Sequence, residues 1–421
     1  MPSQAIAIRT KADRPELSQR RLLASLLPAG IAISAVFQGV QQILVPGQLE
    51  AIDPAHKVAN LGIASALASA AAIGGVLAGG SWSDRTAGRW GRRAPWLAVS
   101  AILSAILMMG LIGAASFALI AALYAALWFS TNFYQGVLTA VLPDRVPAER
   151  RGVASSVLGM GIPVGLLIGV NFASRAGAFP AYVGLAAFLV LATAGMLLFA
   201  PESPVQAVAK EPRRSRVGWL ATANTYFASF RSLDFALAFA GRALMFFSIY
   251  SVNGYTFYTL QDRVGSANLP GHNPQVAVAI LLSINMAGCI VSIAASGWLV
   301  HRWRRPKFIV AGTSIGIAGA MLIPIFSPSW LAMVLLHACL GLFLGAFLAI
   351  DLALMSLVLP DRDAEGRDMA ILQVATSAAQ VLSPAAAATV IATAGYQSLF
   401  LLAGVTALAA GVVVFSIKRV P

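Results

Sequence analysis

The chain has 421 residues, 58% of them hydrophobic and only 11% charged, with a mean hydropathy of +0.79 and a formal net charge of +13. A soluble domain carries about a quarter charged residues, so this composition excludes an ordinary water-soluble protein. The basic residues are scattered over short segments between apolar runs, which excludes a nucleic-acid-binding face.

Residues 1–21 are polar and basic and lead into an apolar run with no small-residue cleavage pattern, so they read as a retained cytoplasmic tail. Twelve apolar segments follow, at 22–45, 58–80, 95–115, 117–141, 151–173, 180–200, 234–260, 276–300, 307–327, 331–357, 367–392 and 396–417. Each is long enough for a hydrocarbon core ~30 Å thick, which takes about 20 residues to cross. Such runs lack the alternation of a membrane β-barrel, and in lipid the backbone must satisfy its own hydrogen bonds, so an all-α membrane protein of twelve transmembrane helices is predicted. Pro28, Gly159, Gly161, Pro163 and Pro384 lie within spans, as membrane helices allow, and Ala64, Ala68 and Ala72 at spacing four let helices approach closely. Cys289 and Cys339 fall inside apolar runs and read as small core residues.

The most basic short stretch, 80–96, separates the second and third spans and holds Arg85, Arg89, Arg92 and Arg93 with one acid, Asp84. With twelve spans both termini share a side, and the segments on that side hold 25 of the 29 Lys and Arg residues. Lys57, Arg175 and Arg263 lie on the other side, and Arg242 lies within a span. By the positive-inside rule the basic side is cytoplasmic. The long middle segment 201–233 is a linker, polar and proline-bearing at first; its continuation with Trp219, Phe227 and Phe230 reads as an interfacial amphipathic helix. The expected organisation is thus a tail (1–21), two six-helix bundles (22–200 and 234–417) joined by that linker, and a short cytoplasmic end (418–421).

A repeat supports the division. Val141-Leu142-Pro143-Asp144-Arg145 ends the fourth span and Val358-Leu359-Pro360-Asp361-Arg362 the tenth, identical and 217 residues apart. The same offset carries Gly80, Asp84 and Arg85 to Gly297, His301 and Arg302. The halves therefore read as parallel pseudo-repeats about an axis along the membrane normal.

Gly80-x-x-x-Asp84-Arg85-x-x-x-Arg89-x-Gly91-Arg92-Arg93 resembles the signature between the second and third helices of the major facilitator superfamily. With Ser83, Thr86, Pro95 and Trp96 it is similar to that of the glycoside-pentoside-hexuronide cation symporters and the related sucrose carriers. The aspartates that melibiose carriers place in their second and fourth helices have no counterpart here. A carboxylate at Asp84 suits the positive end of a helix, worth roughly 0.3–2 kcal/mol. The resemblance implies that this end is the start of the eleventh span, near Arg367 to Ala370, and that the contact gates the cytoplasmic side, with Gly80, Arg85, Arg89, Gly91, Arg92, Arg93, Asp144, Arg145, Asp361 and Arg362 as motif residues. The alternative is that the arginines only set topology and attract anionic lipid.

Charges within spans are costly in lipid and mark function or pairing. Arg242 in the seventh span and Asp351 in the tenth both sit roughly 10–12 Å in from the basic face at 1.5 Å per residue. In the resembled superfamily the first, fourth, seventh and tenth helices line a central cavity, which implies that the two meet. Asp351 is a candidate protonatable coupling group, with Arg242 its counter-ion or an anchor for an anionic substrate; a permanent structural ion pair is the alternative. Gln38, Gln41 and Gln42 share one helical face of the first span; Trp128, Asn132 and Gln135, with Tyr134 adjacent, do so on the fourth, and Tyr250 and Asn253 on the seventh. Amides and rings suit a neutral or amphipathic organic solute, and interhelical hydrogen bonding is the plainer use. Gln373, Thr376, Ser377 and Gln380 of the eleventh span read as packing groups or as supports for residues that line the cavity.

No phosphate-binding glycine loop occurs, and the four histidines are dispersed, so no ATP-driven step, cofactor or metal is expected. The expected function is a monomeric secondary active transporter of an inner membrane, not an enzyme, moving a small sugar-like or other polar or amphipathic solute by alternating access with H+ as coupling ion. An exporter of amphipathic compounds is the first alternative, supported faintly by 159–165 in the fifth span, and a receptor or membrane enzyme on a carrier scaffold the second. The topology predicts that cysteines replacing Arg89, Ser215 or Arg304 react with an impermeant maleimide only from the cytoplasm, and cysteines replacing Asp53 or Asn268 only from outside. Labelling of positions 89 and 53 from one side would overturn the twelve-span order.

Overall fold

The computed structural model describes residues 3–147, 150–202, 204, 229–303, 306–358 and 365–417, and for some of them, 3–20 and 297–303 included, the backbone path alone. The regular elements among them are helices: α1 (spanning Arg21–Ile52), α2 (Lys57–Asp84), α3 (Ala94–Ile112), α4 (Phe117–Arg145), α5 (Arg151–Ala176), α6 (Ala178–Phe199), α7 (Leu233–Thr259), α8 (Pro274–Trp303), α9 (Pro306–Phe326), α10 (Trp330–Val358) and a last run, Glu365–Phe415. Eleven helices are long and apolar enough to cross a membrane, and the final stretch, Ile371–Phe415, has 45 residues. At 1.5 Å per residue that is about 68 Å, twice what a bilayer core needs. Gly395, at φ 76° and ψ 176°, breaks it where only glycine fits without strain. The break yields α11 (365–394) and α12 (396–415), so the twelve-span all-α plan holds. Asp144 and Arg145 continue α4 beyond its predicted end, whereas Asp361, Arg362 and most of the predicted interfacial segment lie outside the described residues.

The chain divides into two compact units, Met1–Asp53 with Leu67–Ala209, and Pro54–Ala66 with Lys210–Pro421. The first turns of α2 belong to the second unit, and the two units meet along the chain at 209/210, inside the segment read as a linker. In the first unit α1 packs on α5 and α6, and α3 on α4 and α6; in the second, α8 packs on α10, while α7 and α9 pack on the Glu365–Phe415 run. Without water to drive helices together in lipid, association depends on close van der Waals contact, which small residues permit. On α10, a Cβ at Gly341 or Gly345 would collide with the carbonyl oxygens of Asn285 and Cys289 on α8. In the first unit the equivalent pair, α2 and α4, is sealed from the other partner, with Gly75 and Gly79 of α2 against the carbonyls of Phe129 and Phe133. Of the three alanines at spacing four, Ala64 and Ala68 are fully buried and Ala72 is half-buried.

Both units interrupt their first long helix near its C-terminal end. α1 passes through a π-helical turn at Val40–Leu44, where Val45 N–H bonds the Val40 carbonyl and Pro46 next in line has no N–H to offer. α7 does so at Leu260–Gly265, leaving through Gly265 at φ 85°.

Backbone contact at the α8–α10 seam predicts that Gly341→Ala lowers the melting temperature of the purified protein, at a cost of about 1–3 kcal/mol from overpacking. Gly319→Ala on α9, where a Cβ meets nothing within 4 Å, should hold or raise it. Equal melting temperatures for the two variants would show that the seam yields freely.

Candidate functional sites

Three clusters of polar side chains stand out, one in the first unit and two in the second. The first is built on the turn from α2 to α3. Gly91, at φ 86°, reverses the chain, and its missing side chain leaves space for the Glu202 carboxylate, which a Cβ would strike. Glu202 Oε2 accepts the N–H groups of Arg93 at 2.8 Å and Ala94 at 2.9 Å, so an anion neutralises the unbonded start of α3. Arg93 is buried and spends its guanidinium inside the same unit. Nη2 donates to Asp84 Oδ1 at 2.5 Å, Nε to Asp144 Oδ2 at 2.8 Å, and Nη1 to Ser83 Oγ. Burial lowers the Arg93 pKa, but the hydrogen bonds and charges of Asp144 and then Asp84 outweigh it, and the net shift is upward; the group stays a cation. Arg145 donates to the carbonyls of Ala200 and Pro201 at 2.8 and 3.0 Å, tying α4 to the exit of α6.

The other motif residues are peripheral to this knot. Arg85 and Arg89 are exposed, Arg89 lying over the Trp90 ring at 5.8 Å; a Cβ at Gly80 meets open space; Arg92 is half-buried, with Nε lacking a hydrogen-bond partner. Sequence reasoning centred on Asp84 and missed Glu202, although an acid just past the sixth span, near an exposed helix start, was a usable signal.

In the second unit the two intramembrane charges meet. Arg242 and Asp351, 7% and 4% exposed, form an ion pair through Nη1 and Oδ2. Arg242 Nε donates to Thr376 Oγ1 at 2.9 Å, Nη2 donates to Gln373 Oε1, and the Met355 sulfur lies 3.3 Å from Nη1. Its guanidinium also lies 5.1 Å from the centre of the Phe246 ring, which stacks on Tyr250 and meets Phe347 edge-on. Helical spacing explains the set: Arg242, Phe246 and Tyr250 recur every four residues on α7, and Phe347, Asp351 and Met355 do so on α10. Gln373 and Thr376, read from sequence as packing or supporting groups, hold Arg242 in this cluster.

The predicted solute-binding residues separate into two kinds. Trp128 is buried against Tyr124 and Phe37, at 4.4 and 5.6 Å between ring centres, and Tyr134 is buried with its hydroxyl 2.9 Å from Thr193 on α6; both serve packing within the first unit. Asn132 donates to the Trp128 carbonyl of its own helix at 2.9 Å. Gln38, Gln41, Gln42 and Gln135 are half-buried, and their side-chain amides hydrogen-bond to none of the described residues. In the second unit Tyr250 is half-buried, and Asn253 Oδ1 is buried with no partner among the described residues. The π-turn shifts the register of Gln41 and Gln42 relative to Gln38, so the three do not form the simple α-helical stripe predicted.

The third cluster was not foreseen. Lys57 ion-pairs with Asp262 at 2.7 Å, donates to Gln261 at 3.0 Å and lies over Tyr258, while Tyr396 donates to the second Asp262 oxygen at 2.5 Å. Gln261 and Asp262 are presented by the π-turn of α7. Among the described residues no three His, Cys, Asp or Glu side chains are placed to hold a metal, and both cysteines are free.

The profile of the Major Facilitator Superfamily matches residues 22–267 and 265–421. The chain belongs to this superfamily. It is accordingly a multi-pass membrane transporter that takes a small-molecule substrate. Solved structures of superfamily members share the fold at low identity. A bacterial homologue of the human lysosomal transporter Spinster, inward-facing and unoccupied, matches with a TM-score of 0.69 and 13% identity over 96% of this chain and 97% of that one. The nucleoside transporter NupG gives 0.69 and 15% over 94% and 98%, and a mutant of the peptide transporter POT gives 0.72 and 14% over 94% and 93%. No curated protein matches the chain.

In this superfamily member the loop signature works first as an internal knot, with Arg93 at its centre. Arg93→Ala should therefore destabilise the protein by about 1–3 kcal/mol, the worth of hydrogen bonds to charged groups, and Arg93→Lys should recover little because an ammonium lacks the planar fork. Arg85→Ala should stay within about 0.5 kcal/mol of wild type. Thermal unfolding in detergent measures this, and equal shifts for Arg93→Ala and Arg85→Ala would dismiss the knot.

Proposed function

We propose that this superfamily member is a proton-coupled secondary transporter, working as a monomer in an inner or plasma membrane with both termini cytoplasmic, and that it carries a small neutral organic solute by alternating access. The observation that carries the reading is the buried Arg242–Asp351 pair, set among Gln373, Thr376 and Phe246. A carboxylate beside a single guanidinium, dry and surrounded by neutral groups, is an arrangement that gaining or losing one proton can reorganise. The donors of Arg242 are directed at Asp351, Gln373 and Thr376, which favours its role as counter-ion over that of anchor for an anionic substrate. Gln38, Gln41, Gln42 and Gln135 in the first unit, and Tyr250 and Asn253 in the second, supply unengaged amide and phenol groups for a polar, uncharged solute. The resemblance of the 80–96 loop to that of sucrose-type carriers points to a sugar-like one. A gating role for Asp84 rests on the same resemblance, and its carboxylate is 58% exposed beside Arg93.

The same saturation of Arg242 also favours a second reading, in which the pair is a fixed tie that only sets the packing of α7, α10 and α11. Uptake into proteoliposomes, with a panel of sugars, nucleosides and short peptides and with or without an imposed pH gradient, separates the two. Under the coupling reading Asp351→Asn loses accumulation against a gradient but keeps solute exchange, which needs no net proton release. Arg242→Ala should be worse than the double change, because a lone buried carboxylate costs about 3–5 kcal/mol. In the same vesicles Asp84→Asn should slow transport while solute affinity is kept. If Asp351→Asn still accumulates solute in response to pH, the coupling reading fails; if Asp84→Asn transports at the wild-type rate, the gate does.

A further inference from the structure

A groove of about 420 Å³ opens between the start of α1 and the end of α6, lined by Arg21, Ala24, Ser25, Pro28, Leu191, Ala192, Gly195, Met196 and Phe199. Its walls are apolar except at one end. The only polar hydroxyl, on Ser25, is already donated to the Leu22 carbonyl of its own helix at 2.9 Å. Arg21 is exposed at that end and pairs with no acid among the described residues. Leu191 and Phe199 are about 70% exposed, at 69% and 71%, so this flank of the first unit meets lipid rather than another helix. The groove exists for two local reasons. Pro28 removes a backbone donor and its ring keeps the next turn from packing tightly, and Gly195 leaves a gap in the facing wall, where a Cβ would meet nothing within 4 Å.

We propose that this groove is a binding site for one anionic phospholipid, an acyl chain lying along Pro28, Ala192 and Gly195 and the phosphate on the Arg21 guanidinium. Charge complementarity selects this occupant. An apolar slot facing lipid accepts a hydrocarbon chain, and a guanidinium that pairs with no acid among the described residues, at its polar mouth, calls for a phosphate oxygen pair at headgroup depth. The mouth lies at the end of the first unit where α6 leaves and where Arg145 holds the Ala200 carbonyl. A zwitterionic lipid would offer the same chain but less net attraction. The site lies on α1 and α6, apart from both the Arg93 knot and the proposed solute groups.

Native mass spectrometry of the full-length protein, reconstituted in equimolar phosphatidylglycerol and phosphatidylcholine and then released, tests the proposal. Wild type should retain one phosphatidylglycerol in preference. Arg21→Ala should lose roughly fivefold of that preference, the equivalent of about 1 kcal/mol per basic residue near a headgroup, and Arg21→Lys should keep most of it. Gly195→Leu, whose Cβ enters open space and whose side chain occupies the slot, should retain neither lipid, and its unchanged melting temperature would show that it still folds. Retention of phosphatidylglycerol in Gly195→Leu at the wild-type level would overturn the groove. Equal preference in wild type and Arg21→Ala would overturn the headgroup contact. Displacement of the lipid by free glycerol phosphate would assign the site to a soluble phosphate instead.

Discussion

A guanidinium removed from water must find its acceptors inside the fold, and that constraint shapes two of the three polar clusters of this transporter. Arg93 and Arg242 are the two buried arginines among the described residues, and each gathers carboxylate, hydroxyl or amide groups from two other helices. The settings differ in charge balance. Arg93 stands between two aspartates, with Glu202 a few atoms away on its own amide, so the knot carries an excess of negative charge that the start of α3 and nearby Arg145 offset. Arg242 has one aspartate and otherwise neutral partners, so its cluster is neutral as a whole. A net charge is tolerable at the end of a bundle, near headgroups and water. Deep in a span only the neutral combination is.

The two units solve the same packing problem with different residues. The seam between α2 and α4 and its counterpart between α8 and α10 both bring backbones into contact, through Gly75 and Gly79 of α2 with Gly136 of α4 in one and Gly341 and Gly345 of α10 with Gly288 of α8 in the other. What the duplication keeps is the approach distance, which lipid makes the main source of association, and either partner can supply the missing side chain. The π-turns behave alike. Each sits near the same end of the first helix in its unit, and each turns polar residues, Gln41 and Gln42 in one and Gln261 and Asp262 in the other, out of the register an α-helix would give them.

Much of this was legible before any coordinates. The twelve spans follow from unbroken apolar runs, because lipid leaves the backbone no alternative to the helix, and even the break at Gly395 coincides with the gap left between the last two predicted spans. Arg242 and Asp351 drew attention for a reason of cost alone, and they pair. The parts that were hidden depend on three-dimensional direction rather than residue type. Tyr134 is adjacent in sequence to Gln135 but turns to Thr193, and Trp128 is taken by Tyr124 and Phe37, since an aromatic ring is as useful in packing as in recognition. Arg93 looked equal to its three neighbours, because nothing in a run of arginines says which one folds inward. The place of Pro54–Ala66 in the second unit was equally invisible, since a continuous helix carries no mark where its partners change.

These differences bear on how one motif can serve two purposes. Arg93 reaches Asp84 through one carboxylate oxygen while the side chain stays more than half exposed, so the internal pair does not exhaust the aspartate. Asp144, less exposed, and Ser83, fully buried, hold the guanidinium from the other sides. If Asp84 exchanges partners during transport, Arg93 keeps Asp144 and the loop keeps its shape, because Glu202 fixes the start of α3 through backbone N–H groups that no exchange disturbs. A carboxylate can act as a movable contact only where its removal leaves the remaining charges satisfied. Among the charged residues described in the first unit Asp84 meets that condition.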